Sequence, residues 1–278
     1  MLTLEAGAAR AAIAPEAGGR LASLVVGGRE LLVGVAGNEA QPMRWGCYLM
    51  APWPGRLQQG RFEWQGRTIQ LPRTHGRHAI HGLVWNRPWV VEESSGSAAI
   101  FSCRLPEAWP MGGIVRQRVT LGADALVLDA SITARDAMPA ALGWHPWFDR
   151  AGDPLTLRLA ADATLATRDM IPTGQRVPVT GTRDLRAGPI LGERRLDHAY
   201  VGVRSPATLA WPDLRLSLSF EPSPATVVVY TPWNAVCVEP QTAIPNALAL
   251  PETDARSAGV RFLGPGETLT ARFELAWA

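Results

Sequence analysis

The feature of this sequence that most constrains its fold is a two-residue alternation of apolar side chains, which recurs along the chain. In residues 125–134 every second side chain is apolar, and residues 214–220 alternate in the same way. A period of two is typical of a β-strand with one buried face. No segment carries a 3.6-residue apolar stripe over three turns, and the best helical candidate, residues 30–35, is equally compatible with a strand. The pattern therefore predicts an all-β fold.

Short turn sequences divide the alternating segments and predict β-hairpins. Strand–turn–strand units are expected at residues 62–71, 89–105, 114–134 and 259–277. The 27 glycines and 23 prolines among 278 residues exceed the roughly 12% of average proteins, which favours many turns. No linker or charge run divides the chain, so we predict one large antiparallel β-sandwich domain over residues 1–278. Residues 167–195 are the least regular stretch and are expected to form a long loop.

Charge and composition exclude several classes of function. The net charge of +2 is too close to zero for a nucleic-acid-binding protein. No apolar run approaches the ~18 residues of a membrane span. The three cysteines, Cys47, Cys103 and Cys237, are scattered and form no CxxC motif, so neither a disulfide framework nor a zinc knuckle is indicated. We expect a cytoplasmic protein that has neither nucleic acid nor membrane as a partner.

Histidines are few, and the surroundings of two of them are informative. His81 and His145 lie among glycine, proline and tryptophan residues at the ends of apolar runs. Such a rigid site, part apolar and part polar, suits a carbohydrate ring, which presents C–H faces to indoles and hydroxyls to polar groups. The alternative is a pair of half-buried structural histidines.

A metal site is a weaker interpretation of the histidines. His75, His78 and His81 follow one another at three-residue intervals, which on a strand directs successive side chains to opposite faces. Neighbouring Arg73 and Arg77 would repel a cation. We therefore predict no metal site.

Three further residues have chemistry that a sugar site could use. Glu239 ends an apolar strand, where burial would raise its pKa toward that of a general base; the alternative is an edge glutamate in water. Arg56 follows a Pro-Gly turn and either bridges sugar hydroxyls or is a surface arginine. Asp197 either accepts hydrogen bonds from hydroxyls or caps a turn. The sequence contains no Gly-rich phosphate loop and no GxSxG motif.

Seven short motifs, taken in order, carry a resemblance to a known family. They are Gly18-Gly19-Arg20-Leu21, Pro54-Gly55-Arg56-Leu57, Gly60-Arg61-Phe62, His81-Gly82, Gly143-Trp144-His145-Pro146-Trp147-Phe148, Leu196-Asp197-His198 and Cys237-Val238-Glu239-Pro240-Gln241. Together they span most of the chain. The sequence resembles the aldose 1-epimerase (mutarotase) family, and within it a bacterial subgroup with the stretches MAPWPGR and HAIHGL.

The resemblance implies a large β-sandwich with a cleft across one sheet and no cofactor. It implies an enzyme that interconverts the α and β anomers of a free aldose, a small-molecule sugar. In that reaction His145 would be the general acid and Glu239 the general base, with His81 assisting. The residues expected to surround the pair with apolar surface are their neighbours in sequence, Trp144, Trp147, Trp233, Val238 and Pro240.

The resemblance also implies how the sugar is held. Arg56 and Asp197 would bind its hydroxyls, and Trp147 and Gln241, which lie in matching motifs, are assigned to substrate binding as well. The sequence departs from the galactose mutarotases at three motifs. It has Gly before Arg56, Leu after His81-Gly82, and Trp147 where those enzymes have Tyr. These departures bear on the choice of sugar rather than on the reaction.

Two other functions remain open at this point. A non-catalytic carbohydrate-binding or sensing protein could use the same fold, although it would need neither an acid nor a base. A sugar-phosphate epimerase would need a cationic anchor beside the site, for which Arg73 and Arg77 are candidates, unless they are solvated loop charges.

Overall fold

The structure, a computed structural model, describes residues 1–150 and 154–278, and β-strands dominate these residues. The strands in the first half of the chain are β1 (Leu2–Ala6), β2 (Ala9–Ala14), β3 (Arg20–Val26), β4 (Arg29–Glu30), β5 (Cys47–Met50), β6 (Arg56–Leu57), β7 (Arg61–Trp64), β8 (Arg67–Gln70), β9 (Ala79–Ile80), β10 (Val90–Ser94), β11 (Ala98–Arg104), β12 (Gly113–Leu121) and β13 (Ala125–Ala134).

The second half continues in the same way. Its strands are β14 (Met138–Ala140), β15 (Gly143–Pro146), β16 (Phe148–Asp149), β17 (Thr156–Ala160), β18 (Ala163–Arg168), β19 (Ile171–Pro178), β20 (Asp197–Val201), β21 (Arg204–Ala210), β22 (Arg215–Glu221), β23 (Thr226–Tyr230), β24 (Ala235–Gln241), β25 (Arg261–Leu263) and β26 (Thr268–Trp277). Helical structure in the described residues consists of α1 (Glu252–Ser257) and short 3₁₀ turns at Pro15–Ala17, Gln58–Gly60, Gly181–Arg183 and Ala247–Ala249.

Most strands belong to two large antiparallel sheets. The larger sheet runs β1-β2-β3-β5-β15-β24-β23-β20-β18-β19, with β4 paired to β3 and β16 paired to β24. The smaller sheet has the order β10-β11-β12-β13-β26-β22-β21-β17. Three two-stranded sheets join β14 to β25, β6 to β9, and β7 to β8.

The two large sheets pack face to face around one apolar core. Leu21 and Val238 of the larger sheet and Leu128 and Phe273 of the smaller one belong to the same buried cluster. This arrangement confirms the predicted antiparallel β-sandwich, because each inner face contributes alternate side chains to a shared core.

Strand β24 is buried on both faces, and this property positions the site. Val236 and Val238 face the core between the sheets. Cys237 belongs to a second apolar cluster on the opposite side of the larger sheet, together with Tyr48 and Trp147. Because side chains alternate along a strand, Glu239 lies on the same side as Cys237, as the sequence predicts.

Three of the four expected hairpins are confirmed, as β7–β8, β10–β11 and β12–β13. The fourth, at residues 259–277, is wrong. Its two strands form, but β25 pairs with β14, and β26 lies between β13 and β22. The turn between them is held to the end of β13, since the amide of Gly266 donates to the carbonyl of Ala134. The chain therefore continues into the smaller sheet instead of folding back.

The expectation of a long loop over residues 167–195 is wrong for its first part. β19 forms a hairpin with β18, and the two turn residues, Asp169 and Met170, have φ of 52° and 65°. Met170 is not a residue type favoured in the left-handed region, so Asp169-Met170 lacks the Asn-Gly or Asp-Gly pattern that would indicate a hairpin turn. Residues 30–35 contain the end of β4 and an extended bridge at Leu32, and no helix. None of the described helices is both long and apolar enough to span a membrane.

Candidate active site

Five neighbouring strands align a row of side chains on the face of the larger sheet that points away from the core. Tyr48 on β5 is paired with His145 on β15. Val228 on β23 is paired with Glu239 on β24 and with Ala199 on β20. The two halves of this row meet where β15 lies beside β24.

The register between β15 and β24 brings a histidine and a glutamate into contact. Gly143 is paired with Gln241, so two residues further along each strand His145 lies opposite Glu239. His145 Nε2 is 3.3 Å from Glu239 Oε1. The side-chain amide of Gln241 donates a hydrogen bond of 3.3 Å to the other carboxylate oxygen of Glu239.

Aromatic rings enclose His145. The Trp147 ring stacks on the imidazole at 5.3 Å between centroids and 5° between planes. The rings of Tyr48 and His81 each lie 5.0 Å from it, the latter edge to face. The imidazole is 5% exposed, and the side chain of Glu239 is 3% exposed.

A buried arginine supports this aromatic wall from behind. The guanidinium of Arg20 lies 4.0 Å from the centroid of the Trp45 ring and 5.0 Å from that of the Tyr48 ring. Burial lowers the pKa of Arg20 to about 10, so it stays charged at neutral pH. It donates hydrogen bonds to the backbone oxygens of Ala17, Pro42, Trp45 and Trp85. These contacts hold the ring of Tyr48 against His145.

Tight turns position Arg56 and His81 above the sheet. Gly55 has a φ of 66°, and a Cβ at this position would lie 2.9 Å from Pro245. Arg56 on β6 is paired with Ile80 on β9. The next residue, His81, has a φ of 61°, and its amide donates to the carbonyl of Gly55. Backbone pairing therefore joins the two turns that carry Arg56 and His81.

The opposite wall of the site comes from β20 and the β18–β19 hairpin. Asp197 begins β20 and lies at the rim. Partial desolvation raises the pKa of its carboxyl, an effect that neighbouring Arg56 opposes. Thr167 and Met170 of the hairpin line the same rim.

These elements enclose a cavity of about 230 Å³. That is smaller than the roughly 300–1,000 Å³ of pockets for drug-sized ligands and suits a molecule of monosaccharide size. Three residues that line the cavity also have buried polar atoms without a hydrogen-bond partner in the described residues, which is uncommon in native proteins. These atoms are His81 Nδ1, His145 Nδ1 and Gln241 Oε1.

Burial shifts the pKa values of Glu239 and His145 in opposite directions. It raises the pKa of Glu239 well above the ordinary carboxyl value, and nearby Asp197 adds to this effect. It lowers the pKa of His145, since the imidazolium would lose its hydration. Burial also lowers the pKa of His81. The low-dielectric cavity therefore favours a net neutral pair that holds one proton.

Comparison with known proteins identifies the family. The sequence model of the aldose 1-epimerase family matches residues 1–276.

The chain belongs to the aldose 1-epimerase family.

Individual relatives of this aldose 1-epimerase family member are distant. An uncharacterized Escherichia coli protein, YphB, is 24% identical over an alignment of 248 residues that covers 82% of each chain. A galactose mutarotase-like protein from Clostridium acetobutylicum superposes with a TM-score of 0.89 at 18% identity, covering 99% of this chain and 94% of its own. Galactose 1-epimerase from Lactobacillus acidophilus gives 0.82 at 18% identity, covering 99% and 93%. At these identities the structures show a shared fold.

The structure brings together the seven residues that the sequence analysis assigned to catalysis or substrate binding. All of them line the cavity described above, and they are Arg56, His81, His145, Trp147, Asp197, Glu239 and Gln241. They come from six separate strands or turns of the aldose 1-epimerase fold.

The expected apolar surroundings of the pair are wrong for four residues. Trp144 points into the sandwich core, where its Nε1 donates to Gln117. Val238 also faces the core, and alternation places Pro240 on that side of β24. Trp233 is 83% exposed. Neighbours on a strand point to opposite faces, so the apolar wall comes from Trp147 and from residues distant in sequence.

Sequence reasoning missed several residues of the site. Tyr48 lies two residues before Met50, the first residue of the MAPWPGR stretch, and its alternation with Leu49 was the available signal. Arg20 lies in the motif Gly18-Gly19-Arg20-Leu21, which by itself does not indicate that this side chain supports the site. Met170 carries no local signal, because it reaches the cavity through the pairing of β18 with β20.

The arrangement includes one set of potential metal ligands. His145, Cys237 and Glu239 offer donor atoms that all lie within 4.8 Å of one another. His75, His78 and His81 do not converge in this way within the described part of the chain. His78 Nδ1 instead accepts a hydrogen bond from the amide of Gln59. Arg73 and Arg77 do not line the cavity, and Arg77 pairs with Asp169.

Proposed function

We propose that this protein is a cofactor-independent mutarotase that interconverts the α and β anomers of a free aldose. The observation that carries the proposal is the buried contact between His145 and Glu239 at the wall of a monosaccharide-sized cavity. Ring opening requires a base near the anomeric hydroxyl and an acid near the ring oxygen, and neighbouring groups can serve both because the two oxygens are bonded to the same carbon. Membership of the aldose 1-epimerase family supports the same reaction.

The reaction needs one proton taken up and one given in each direction. The Glu239 carboxylate takes the proton of the anomeric hydroxyl while the His145 imidazolium gives a proton to the ring oxygen. The bond between C1 and the ring oxygen breaks, and C1 becomes a carbonyl carbon. After rotation about C1–C2, the hydroxyl adds to the other face and both protons return. His145 and Glu239 end the cycle in the state in which they began it.

The apolar cavity makes both groups suited to this exchange. Burial favours the neutral pair, in which the proton lies on Glu239, over the imidazolium–carboxylate pair. The positive charge of Arg56 lowers the pKa of Glu239, and so does the hydrogen bond from Gln241. Sugar hydroxyls that donate to the carboxylate act in the same direction. Substrate binding therefore stabilises the charged form that begins ring opening.

The remaining residues bind and orient the sugar. Trp147 offers an apolar face beside the imidazole, against which a C–H face of the ring can pack. Arg56 and Asp197 at the rim provide a donor and an acceptor for hydroxyls. His81 lines the cavity with its ring edge to face with that of His145, a position from which it can hold a substrate oxygen.

The alternatives are less well supported. A binding or sensing protein has no use for two proton-transfer groups 3.3 Å apart. A phosphate anchor at Arg73 or Arg77 would lie outside the cavity, and Arg77 is engaged with Asp169.

Polarimetry on freshly dissolved α-glucose, α-galactose and other aldoses, with chelator present, tests the proposal. We expect the first-order approach to anomeric equilibrium to accelerate in proportion to protein concentration. Binding of aldoses by calorimetry without acceleration of any of them would favour the sensing protein and contradict the proposal.

A further inference from the structure

Cys237 has no part in the proposed reaction, yet it lies beside the proton-transfer pair. It is two residues before Glu239 on β24 and shares its face of the strand. Its Sγ, a nitrogen of His145 and an oxygen of Glu239 all lie within 4.8 Å of one another, and all three residues are buried. Cys47 and Cys103, the other cysteines, are not part of this cluster.

The three donor atoms match the chemistry of zinc. Thiolate sulfur, imidazole nitrogen and carboxylate oxygen are the ligands that Zn²⁺ takes in proteins, at roughly 2.0–2.3 Å from the metal. Ligands at those distances lie on the order of 3–4 Å apart in tetrahedral geometry. The 3.3 Å between His145 Nε2 and Glu239 Oε1 already falls in that range. Because both residues line the cavity, a fourth position would face the cavity and its solvent.

A divalent ion suits this buried place by charge. A thiolate and a carboxylate ligand together carry two negative charges, which equal the charge of one divalent ion, and the imidazole ligand is neutral. Binding would release the protons of the thiol and the carboxyl group to solvent. The occupied site would carry no net charge, which avoids the cost of an uncompensated buried charge.

We propose that His145, Cys237 and Glu239 form a binding site for Zn²⁺ or a similar borderline-soft divalent ion, and that this ion inhibits the protein. Occupation removes the proton that the pair must exchange and uses the lone pairs of both groups. The inhibitory half of this statement rests on the proposed mutarotase function, whereas the binding half stands on the ligand geometry alone.

Binding is tested by titrating the purified protein with Co²⁺, which reports its ligands by colour. We expect one equivalent to produce a thiolate-to-cobalt charge-transfer band, and added Zn²⁺ to remove it. The band should be absent in Cys237→Ala and retained in Cys103→Ala, a matched control on β11 of the other sheet. No band in the native protein, or an undiminished band in Cys237→Ala, would overturn the proposal. If the alanine variant does not fold, Cys237→Ser, which replaces the thiol by a hydroxyl, tests the same loss of the thiolate-to-cobalt band.

Inhibition is tested separately by polarimetry with increasing Zn²⁺. We expect complete inhibition that follows one-site saturation and is reversed by chelator. Cys237→Ala should keep its turnover. Its half-inhibitory Zn²⁺ concentration should rise by more than the roughly 10–100-fold that metal affinity loses when a hydrogen-bond partner of a ligand is removed, because here a ligand itself is lost. Equal zinc sensitivity of the native and Cys237→Ala proteins would contradict the inference. A cobalt band in a protein without mutarotase activity would instead refute the proposed function and leave the site supported.

Discussion

His145 Nε2 lies 3.3 Å from Glu239 Oε1, and both side chains are almost completely buried. The contact results from the pairing of Gly143 with Gln241, which puts the two side chains opposite each other on adjacent strands. A histidine and a carboxylate at this distance can pass a proton between them, and the proposed reaction depends on that exchange.

Replacing Glu239 by glutamine tests its role as the base. The amide keeps the shape and can still hydrogen-bond, but it cannot accept the anomeric proton. We expect kcat to fall on the order of a hundredfold or more while sugar affinity changes little. Steady-state polarimetry and calorimetry measure the two quantities. An equal loss of affinity with turnover preserved would make Glu239 an anchor only.

Replacing the two histidines separates their roles. His145→Asn should remove most activity while sugar still binds, because the acid is lost. His81→Asn should keep measurable kcat with a raised KM, since one hydrogen bond to the substrate is worth roughly 1.5–3 kcal/mol when a charged group takes part. If His81→Asn is the inactive variant and His145→Asn turns over, the assignment of the acid is reversed.

The pH dependence of kcat/KM follows from the directions of the two pKa shifts. Burial lowers the pKa of His145, so a second proton is added to the pair only well below the ordinary imidazole range. Burial raises the pKa of Glu239, so the last proton is lost only well above the ordinary carboxyl range. We expect kcat/KM to be constant over a broad range around neutral pH. Its fall at acid pH should lie well below the ordinary imidazole range, and its fall at alkaline pH well above the ordinary carboxyl range. A steep acid limb centred near 6.5 would show that His145 titrates as it does in water.

Arg20 offers a test of what holds the aromatic wall. Arg20→Met removes the donors to four backbone oxygens and the cation between Trp45 and Tyr48. The free energy of unfolding should fall by about 3 kcal/mol or more, since each buried unsatisfied group costs about 1–3 kcal/mol. The exposed Arg272, paired with Asp129, is the control, and Arg272→Met should cost less than about 1 kcal/mol. Urea denaturation gives both values, and similar losses would refute the structural role.

Gly82 tests the turn that carries His81. Its φ is 74°, and a Cβ would lie 2.0 Å from the carbonyl oxygen of Ala51, so Gly82→Ala must displace the backbone. We expect a loss of stability of about 3 kcal/mol or more together with a loss of activity. Gly66 has a φ of 73° but no atom within 4 Å of its Cβ position, so Gly66→Ala should cost only about 1–2 kcal/mol. Equal effects in thermal unfolding would mean that the close approach at Gly82 is relieved without strain.

The class of fold follows from local sequence patterns, and the candidate site residues follow from short motifs. Period-two alternation is a local property, so strands such as β13 and hairpins such as β12–β13 follow from neighbouring residues. The placement of Cys237 and Glu239 on one face of β24 follows in the same way. The roles proposed for His145 and Glu239 rest on the order of short motifs rather than on any single pattern.

The pairing of strands that are distant in sequence depends on the tertiary structure. β15 and β24 are far apart in sequence, and only their pairing makes His145 and Glu239 a pair. Strand β26 likewise pairs with β13 and β22 and not with β25. The reason is that the pairing of strands depends on the apolar core that the whole sheet buries. The apolar wall of Tyr48 and Trp147, the support of Arg20 and the thiol of Cys237 near the pair are consequences of that packing. They depend on contacts between distant segments, for which no local pattern exists.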